Sequence, residues 1–141
     1  SLHSGTFNRH GVTLVREYGQ VPPVLADRHK VLPILVNLLC NAKHALADSN
    51  GDKQLTVRVA QNGSEGVQIV IADNGVGIPQ ENLTRIFQHG FTTKPEGHGF
   101  GLHSGALAAR EMGGRLIAQS EGVGRGAAFT LELPLQTTKT C

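Results

Sequence analysis

Asn37, Asn41, His44 and Asp48 follow one another at intervals of four, three and four residues, a spacing that puts all four on one face of a helix. Asparagine costs about 0.6 kcal/mol relative to alanine inside a helix, so two in register call for a reason. A solvated polar face is one. A metal subsite is another, since the amide oxygen is a hard neutral donor of the kind Mg²⁺ takes beside phosphate oxygens and water. Further along, Asp73-Asn74-Gly75-Val76-Gly77-Ile78 sets a carboxylate beside two alternate glycines, where backbone can approach a ligand closely. Asp-Asn-Gly is also an ordinary turn. As a site, an ionised Asp73 only accepts hydrogen bonds and so complements a donor such as the exocyclic amine of adenine, whose ring nitrogen a bridging water can reach. A third run, Gly97-His98-Gly99-Phe100-Gly101-Leu102, leads straight into a helical pattern. Glycines there expose backbone amides, and the helix N-terminus adds positive charge, which suits phosphate. The glycine spacing does not match the dinucleotide fingerprint, and no Walker lysine follows. Lys94, in Phe91-Thr92-Thr93-Lys94, supplies a point charge from upstream.

The elements that position these residues are legible as periodicities. Asp27 is a good N-cap, and Val31, Ile34, Leu35, Leu38, Ala42, Ala45 and Leu46 recur every three or four residues, predicting a helix that ends near 49–51. Pro33 falls past its first turn, so the helix either starts later or bends there. A β-prone run at 12–15 precedes it. Residues 55–59 and 67–71 alternate with period two around Asn62-Gly63-Ser64, predicting an antiparallel hairpin. After Pro79 comes a short amphipathic segment, 81–87, and then an aperiodic stretch, 88–101, dense in Gly, Thr and His, that reads as a mobile lid. A helix is expected over 102–112, closed by Gly113-Gly114, and strands over 115–121 and 127–133. The pattern predicts an α+β two-layer sandwich, a mixed, mostly antiparallel sheet covered on one face by helices.

At 141 residues the chain has room for one ordinary domain, expected over 1–136 with a loose tail at 137–141. Aromatics are only 4% with no Trp, too few for base-stacking platforms. The net charge of +2 comes without a basic stripe, which argues against nucleic acid as a partner. Cys40 and Cys141 lack metal-ligand spacing; Cys40, inside an apolar helical run, reads as a small buried thiol, and the pair points to a reducing, cytoplasmic location. No stretch is long and apolar enough to cross a bilayer, and the N-terminus lacks the order of a signal peptide. The start at Ser1-Leu2-His3 reads as a cut edge, so a parent protein anchored in an inner membrane stays open, with no direct membrane contact by this piece.

Taken in order, Asn37-Leu38-Leu39-Cys40-Asn41-Ala42, Asp73-Asn74-Gly75-Val76-Gly77-Ile78, Ile86-Phe87 through Phe91-Thr92-Thr93-Lys94, and Gly97 to Leu102 resemble the N box, first G box, F box and second G box of the GHKL superfamily of ATP-binding domains. Within that superfamily (gyrase, the heat-shock chaperone, histidine kinases, MutL) they resemble the histidine kinase branch. The resemblance runs from about residue 27 to 134 and implies the fold of that superfamily. It also implies roles. Asp73 would bind the adenine amine, Asn41 would hold Mg²⁺, and the loop Gly97, His98, Gly99, Phe100, Gly101 would wrap the phosphates. His44, Gly75, Gly77, Ile78, Phe91, Thr92, Thr93, Lys94 and Leu102 would complete the nucleotide site, with Asn37, Asn41 and Lys94 nearest the chemistry.

In the hydrolysing branch the residue four before the Mg²⁺-binding Asn is a Glu that orients water. Here it is Asn37, an amide without useful basicity. Phosphoryl transfer to an imidazole needs positioning and charge neutralisation more than a base. The resemblance therefore implies a sensor kinase domain of two-component signalling. It would donate the γ-phosphate of ATP to a histidine on a separate dimerisation and phosphotransfer domain, with a response regulator downstream. None of the seven histidines here sits in such a dimerising helix, so the isolated chain is expected to show no strong kinase activity. Two positions depart from the family pattern: Ala127 stands where relatives often carry Ser or Thr, and Pro33 where a helix-compatible residue is usual. A non-catalytic nucleotide-binding module is the alternative; a hydrolase that dimerises on ATP would call for Glu at position 37 and a longer lid.

Overall fold

The computed structural model describes residues 2–7, 11–20, 28–49, 51–63, 66–88 and 101–135. In chain order the elements are β1 (Leu2–Phe7), β2 (Val12–Tyr18), α1 (Arg28–Ala47), β3 (Lys53–Asn62), β4 (Gly66–Asp73), α2 (Gln80–Leu83), α3 (Gly101–Glu111), β5 (Arg115–Gln119) and β6 (Ala127–Pro134). One sheet carries all six strands in the order β1-β2-β3-β4-β6-β5. β2 and β3 are parallel and every other neighbouring pair is antiparallel. The exception follows from connectivity: α1 lies between β2 and β3 in the chain, and a helical crossover returns the chain in its original direction. The α+β sandwich with a mixed, mostly antiparallel sheet is the expected one.

α1 buries Ile34, Leu38, Ala42 and Leu46, the ridge that the apolar spacing marked. Ile34, Leu38 and Ala42 pack, with Ile71 of β4, Leu116 of β5 and the alternate residues Ala127, Phe129, Leu131 and Leu133 of β6, into one core. α1 lies against β3 and β4, and α3 against β5 and β6. Lys30 Nζ meets Glu111 Oε1 at 3.0 Å, joining the start of α1 to the end of α3. Pro33 sits within α1 without ending it; the amide it lacks would have bonded the carbonyl of His29, in the first turn. Ser49 closes the helix, its N–H and hydroxyl both donating to the Leu46 carbonyl at 3.1 and 2.9 Å. α3 ends in the expected glycine cap: Gly113 has φ +82, its N–H donates to Arg110, and Gly114 N–H donates to Ala109, the paired bonds of a Schellman motif.

Several expectations need correcting. β1 was not anticipated, because Leu-His-Ser-Gly-Thr-Phe has neither strict alternation nor a β-branched run; its register against β2 supplies what local preference does not. β2 runs on to Tyr18, where Glu17 Oε1 pairs with Arg58 of β3 at 2.7 Å. α2 is only four residues long, and the rest of the amphipathic segment is a string of turns. Cys40 is exposed, because it lies about 200° around the helix from buried Leu38. The Asp27 cap, Ser64 and the 137–141 tail lie outside the described residues.

α1 has a second apolar side. Leu32 and Val36 are exposed, and Leu35, Leu39, Leu46 and Ala47 line a groove of about 990 Å³ over β2, β3 and β4 whose lining also includes Tyr18, Lys43, His44 and Lys53.

Candidate functional site

Asp73 is the last residue of β4, in register with Ala127 of β6 and Leu55 of β3. Its half-buried carboxylate receives the Gly75 N–H at 2.8 Å and the backbone N–H of Ala127. Burial pushes its pKa above the ordinary value of 3.8, and the two N–H bonds pull the other way without cancelling the rise. A carboxylate has about four lone-pair directions, so two accepted bonds leave capacity for a ligand donor.

The loop after Asp73 is held on three sides. Val76 N–H donates to the Ala45 carbonyl of α1 at 3.3 Å, Gly126 N–H to the Gly75 carbonyl at 3.2 Å, and Gly124 N–H to the Val76 carbonyl at 2.7 Å. Gly75 has to be glycine because backbone meets backbone there: an added Cβ would lie 2.5 Å from the Ala45 carbonyl oxygen. Gly77 has φ +76 and would drive a Cβ into the Gly122 carbonyl. Asn74 faces away from the carboxylate's business. Its side chain accepts the Gln54 N–H at 2.8 Å and donates to the Asp52 carbonyl at 3.0 Å, stapling the loop to the start of β3. Thus Asp-Asn-Gly is a turn whose first residue stays available.

Sequence reasoning did not find Ser120. Its hydroxyl donates to the Gly126 carbonyl at 2.6 Å and accepts the N–H groups of Ile78 and Gly122 at 3.0 and 3.2 Å, using its one proton and both lone pairs. It binds the 78 end of the loop to the turn before β6. No spacing rule marks a lone serine after a strand, so this role exists only in three dimensions. Ser120→Ala strands two amides, and we expect a loss of about 1–3 kcal/mol, read as a lowered denaturant midpoint with unchanged slope.

On α1, half-buried Asn41 precedes Ala45 by one turn, about 6 Å along the axis, and half-buried Asn37 precedes Asn41 by another. Asn41 thus stands one turn before the residue whose carbonyl takes the Val76 N–H, while Asn37 lies at the middle of α1. His44 and Asp48 are exposed, and His44 borders the apolar groove, whose lining includes neither Asp73 nor Asn41. Ile78 and Leu102 pack against the common core, and Gly101 begins α3. Phe91, Thr92, Thr93, Lys94, Gly97, His98, Gly99 and Phe100 lie outside the described residues.

The fold is an α+β sandwich in which an acceptor carboxylate and a glycine loop stand at the end of β4. Residues 26–137 match the family described as histidine kinase-, DNA gyrase B- and HSP90-like ATPase. Sensor histidine kinase ZraS of Escherichia coli K12 is 34% identical over 119 residues, covering 84% of this chain and 24% of that protein. Sensor protein FixL of Bradyrhizobium diazoefficiens is 36% identical over 111 residues, 79% of this chain and 22% of FixL. Among solved structures, the nucleotide-free catalytic domain of histidine kinase ThkA superposes with a TM-score of 0.74 at 25% identity, over 88% of this chain and 80% of that one. Full-length ShkA in complex with AMPPNP gives 0.77 at 26% identity, over 92% and 27%. The chain belongs to the histidine kinase-, gyrase B- and HSP90-like ATPase family, and its relatives include the sensor histidine kinase ZraS and the catalytic domain of the histidine kinase ThkA. It spans about a quarter of the length of the curated relatives it matches. No helix among the described residues is long and apolar enough to cross a membrane.

Proposed function

We propose that this chain is the catalytic domain of a sensor histidine kinase: it binds ATP with Mg²⁺ and presents the γ-phosphate to a histidine on a separate dimerisation and phosphotransfer domain, with a response regulator receiving the phosphoryl group afterwards. The observation that carries this reading is the Asp73 carboxylate. It is ordered by Gly75 and Ala127 amides beside the α1 turn that carries Asn41, at the end of a sheet whose family uses such a site for ATP. Residues 1–136 would form this one domain and 137–141 its tail.

Asp73 takes the adenine amine and so fixes the base. The start of α3 offers the phosphates backbone amides and the positive end of the helix dipole, and by the resemblance Gly97 and Gly99 would add their own amides. Asn41 fits the metal in chemistry and place. Its amide oxygen is a neutral hard donor on a half-buried residue one turn before Ala45, whose carbonyl takes the Val76 N–H, and Mg²⁺ asks for one or two protein oxygens beside phosphates and water. Bound there, Mg²⁺ supplies neutralisation of charge on the phosphate oxygens. Asn37 stands where a water-orienting acid would serve hydrolysis, and its amide leaves water unactivated. Transfer then depends on the incoming histidine. Its imidazole nitrogen forms a bond to the γ-phosphorus as the bond to the bridging oxygen breaks, ADP leaves with that electron pair, and the ring's other N–H proton goes to solvent.

The test has two parts. Calorimetric titration of a non-hydrolysable ATP analogue should show affinity that falls about tenfold or more on chelating Mg²⁺, a dependence that Asn41→Ala largely removes. With labelled ATP, the chain alone should stay unlabelled, while a phosphotransfer domain added in trans should take label on histidine. Binding without transfer to any such domain would favour the non-catalytic module; rapid self-labelling would refute the assignment of the acceptor to another domain.

A further inference from the structure

His103 is the third residue of α3, half-buried, and its Nδ1 lies 3.1 Å from the carbonyl oxygen of Phe87. A carbonyl only accepts, so Nδ1 carries the proton and donates it. The two residues are sixteen positions apart in sequence, and the bond joins two parts of the chain that both pack on the common core. On one side is the segment from Ile78 to Gln88. It starts on the Ser120 hydroxyl and runs through tight turns in which Pro79 accepts from Asn82, Asn82 from Arg85 and Ile86, and Arg85 from Gln88 at 2.9–3.0 Å. Buried Ile86 and half-buried Phe87 anchor its end in the core. On the other side is the first turn of α3.

We propose that His103 is a positioning residue for nucleotide binding: by tying the Phe87 carbonyl to the first turn of α3, it sets the distance between the Asp73 loop, which receives the base, and the helix start, which receives the phosphates. This rests on the nucleotide-site reading above. A ligand that touches both halves gains when their separation is fixed before it binds, because ordering them is then part of folding rather than of binding. A ligand that touches only the Asp73 half gains nothing from the tie.

The experiment compares a non-hydrolysable ATP analogue with adenosine, titrated into the wild type, His103→Ala and His103→Asn, with thermal unfolding measured alongside. His103→Ala should weaken the triphosphate analogue about five- to tenfold, the scale of one neutral hydrogen bond, and leave adenosine within about twofold. His103→Asn, whose side-chain amide places a donor near the position of Nδ1–H, should restore most of the loss. An unchanged triphosphate affinity in His103→Ala overturns the proposal, and so does an equal loss for both ligands or a failure of asparagine to restore. Wild type that binds neither ligand overturns the nucleotide-site reading itself, and the positioning role with it.

Discussion

Asp73→Asn should weaken binding of a non-hydrolysable ATP analogue by about tenfold to a hundredfold while leaving the fold intact or more stable. The weakening follows from chemistry at one atom: a carboxylate accepting from the adenine amine makes a charge-assisted bond worth about 1.5–3 kcal/mol, and the amide that replaces it presents a donor on one side where an acceptor is needed. The stability follows from burial. Desolvation raises the Asp73 pKa above 3.8 despite the bonds from Gly75 and Ala127, so the native chain keeps this proton to higher pH than the unfolded chain does. Stability contributed by the group is present below 3.8 and is lost as pH rises through the folded value. Asparagine, which has no charge to desolvate, keeps an oxygen for the Gly75 N–H. Thermal unfolding between about pH 4 and about pH 7 should therefore decline less with rising pH in the variant. Equal affinity in the two proteins would remove Asp73 from the base pocket, and a parallel loss of stability at neutral pH would show that its role is structural.

Gly75→Ala should do more damage from a smaller change. The new methyl would sit 2.5 Å from the Ala45 carbonyl oxygen, 2.6 Å from its carbon and 3.0 Å from Asp73 Oδ1, and two of the three atoms are helix backbone that cannot swing aside. The loop has to lift from α1, breaking the Val76 bond to Ala45 and the Gly75 bond to Asp73 together. Overpacking of this kind costs about 1–3 kcal/mol of stability, and with the carboxylate unheld the analogue's affinity should fall by more than about a hundredfold. Gly51→Ala is the control. Its φ is +90 with nothing within 4 Å, so it should cost about 1 kcal/mol from backbone strain alone and leave binding unchanged. Calorimetry and denaturant unfolding on both variants separate the outcomes. Equal effects at the two positions would mean that the contact with α1 does not organise the loop.

The α1 ridge of Ile34, Leu38, Ala42 and Leu46 was legible because it repeats every four residues, and the β3–β4 hairpin because it alternates around a glycine turn. Asp73 and its glycines were legible as residue types in a row. β1 was not, since its own residues carry no β pattern and its pairing with β2 is a property of the sheet, and the exposure of Cys40 was not, because an apolar neighbourhood in sequence spans every direction around a helix. Ser120 and the Ala45 carbonyl are of another kind. One is a common residue with no local signal, the other a backbone atom that every residue has.

What a chain writes locally is periodicity, turn chemistry and the order of its donors and acceptors, and here those were enough to specify most of the elements and the class of fold. Which backbone atoms hold that loop, how far the carboxylate is buried, and that Phe87 and His103 meet depend on contacts between residues distant in sequence. Packing of the finished core decides those contacts, because a hydrogen bond of this sort forms only once both partners have been carried to the same place.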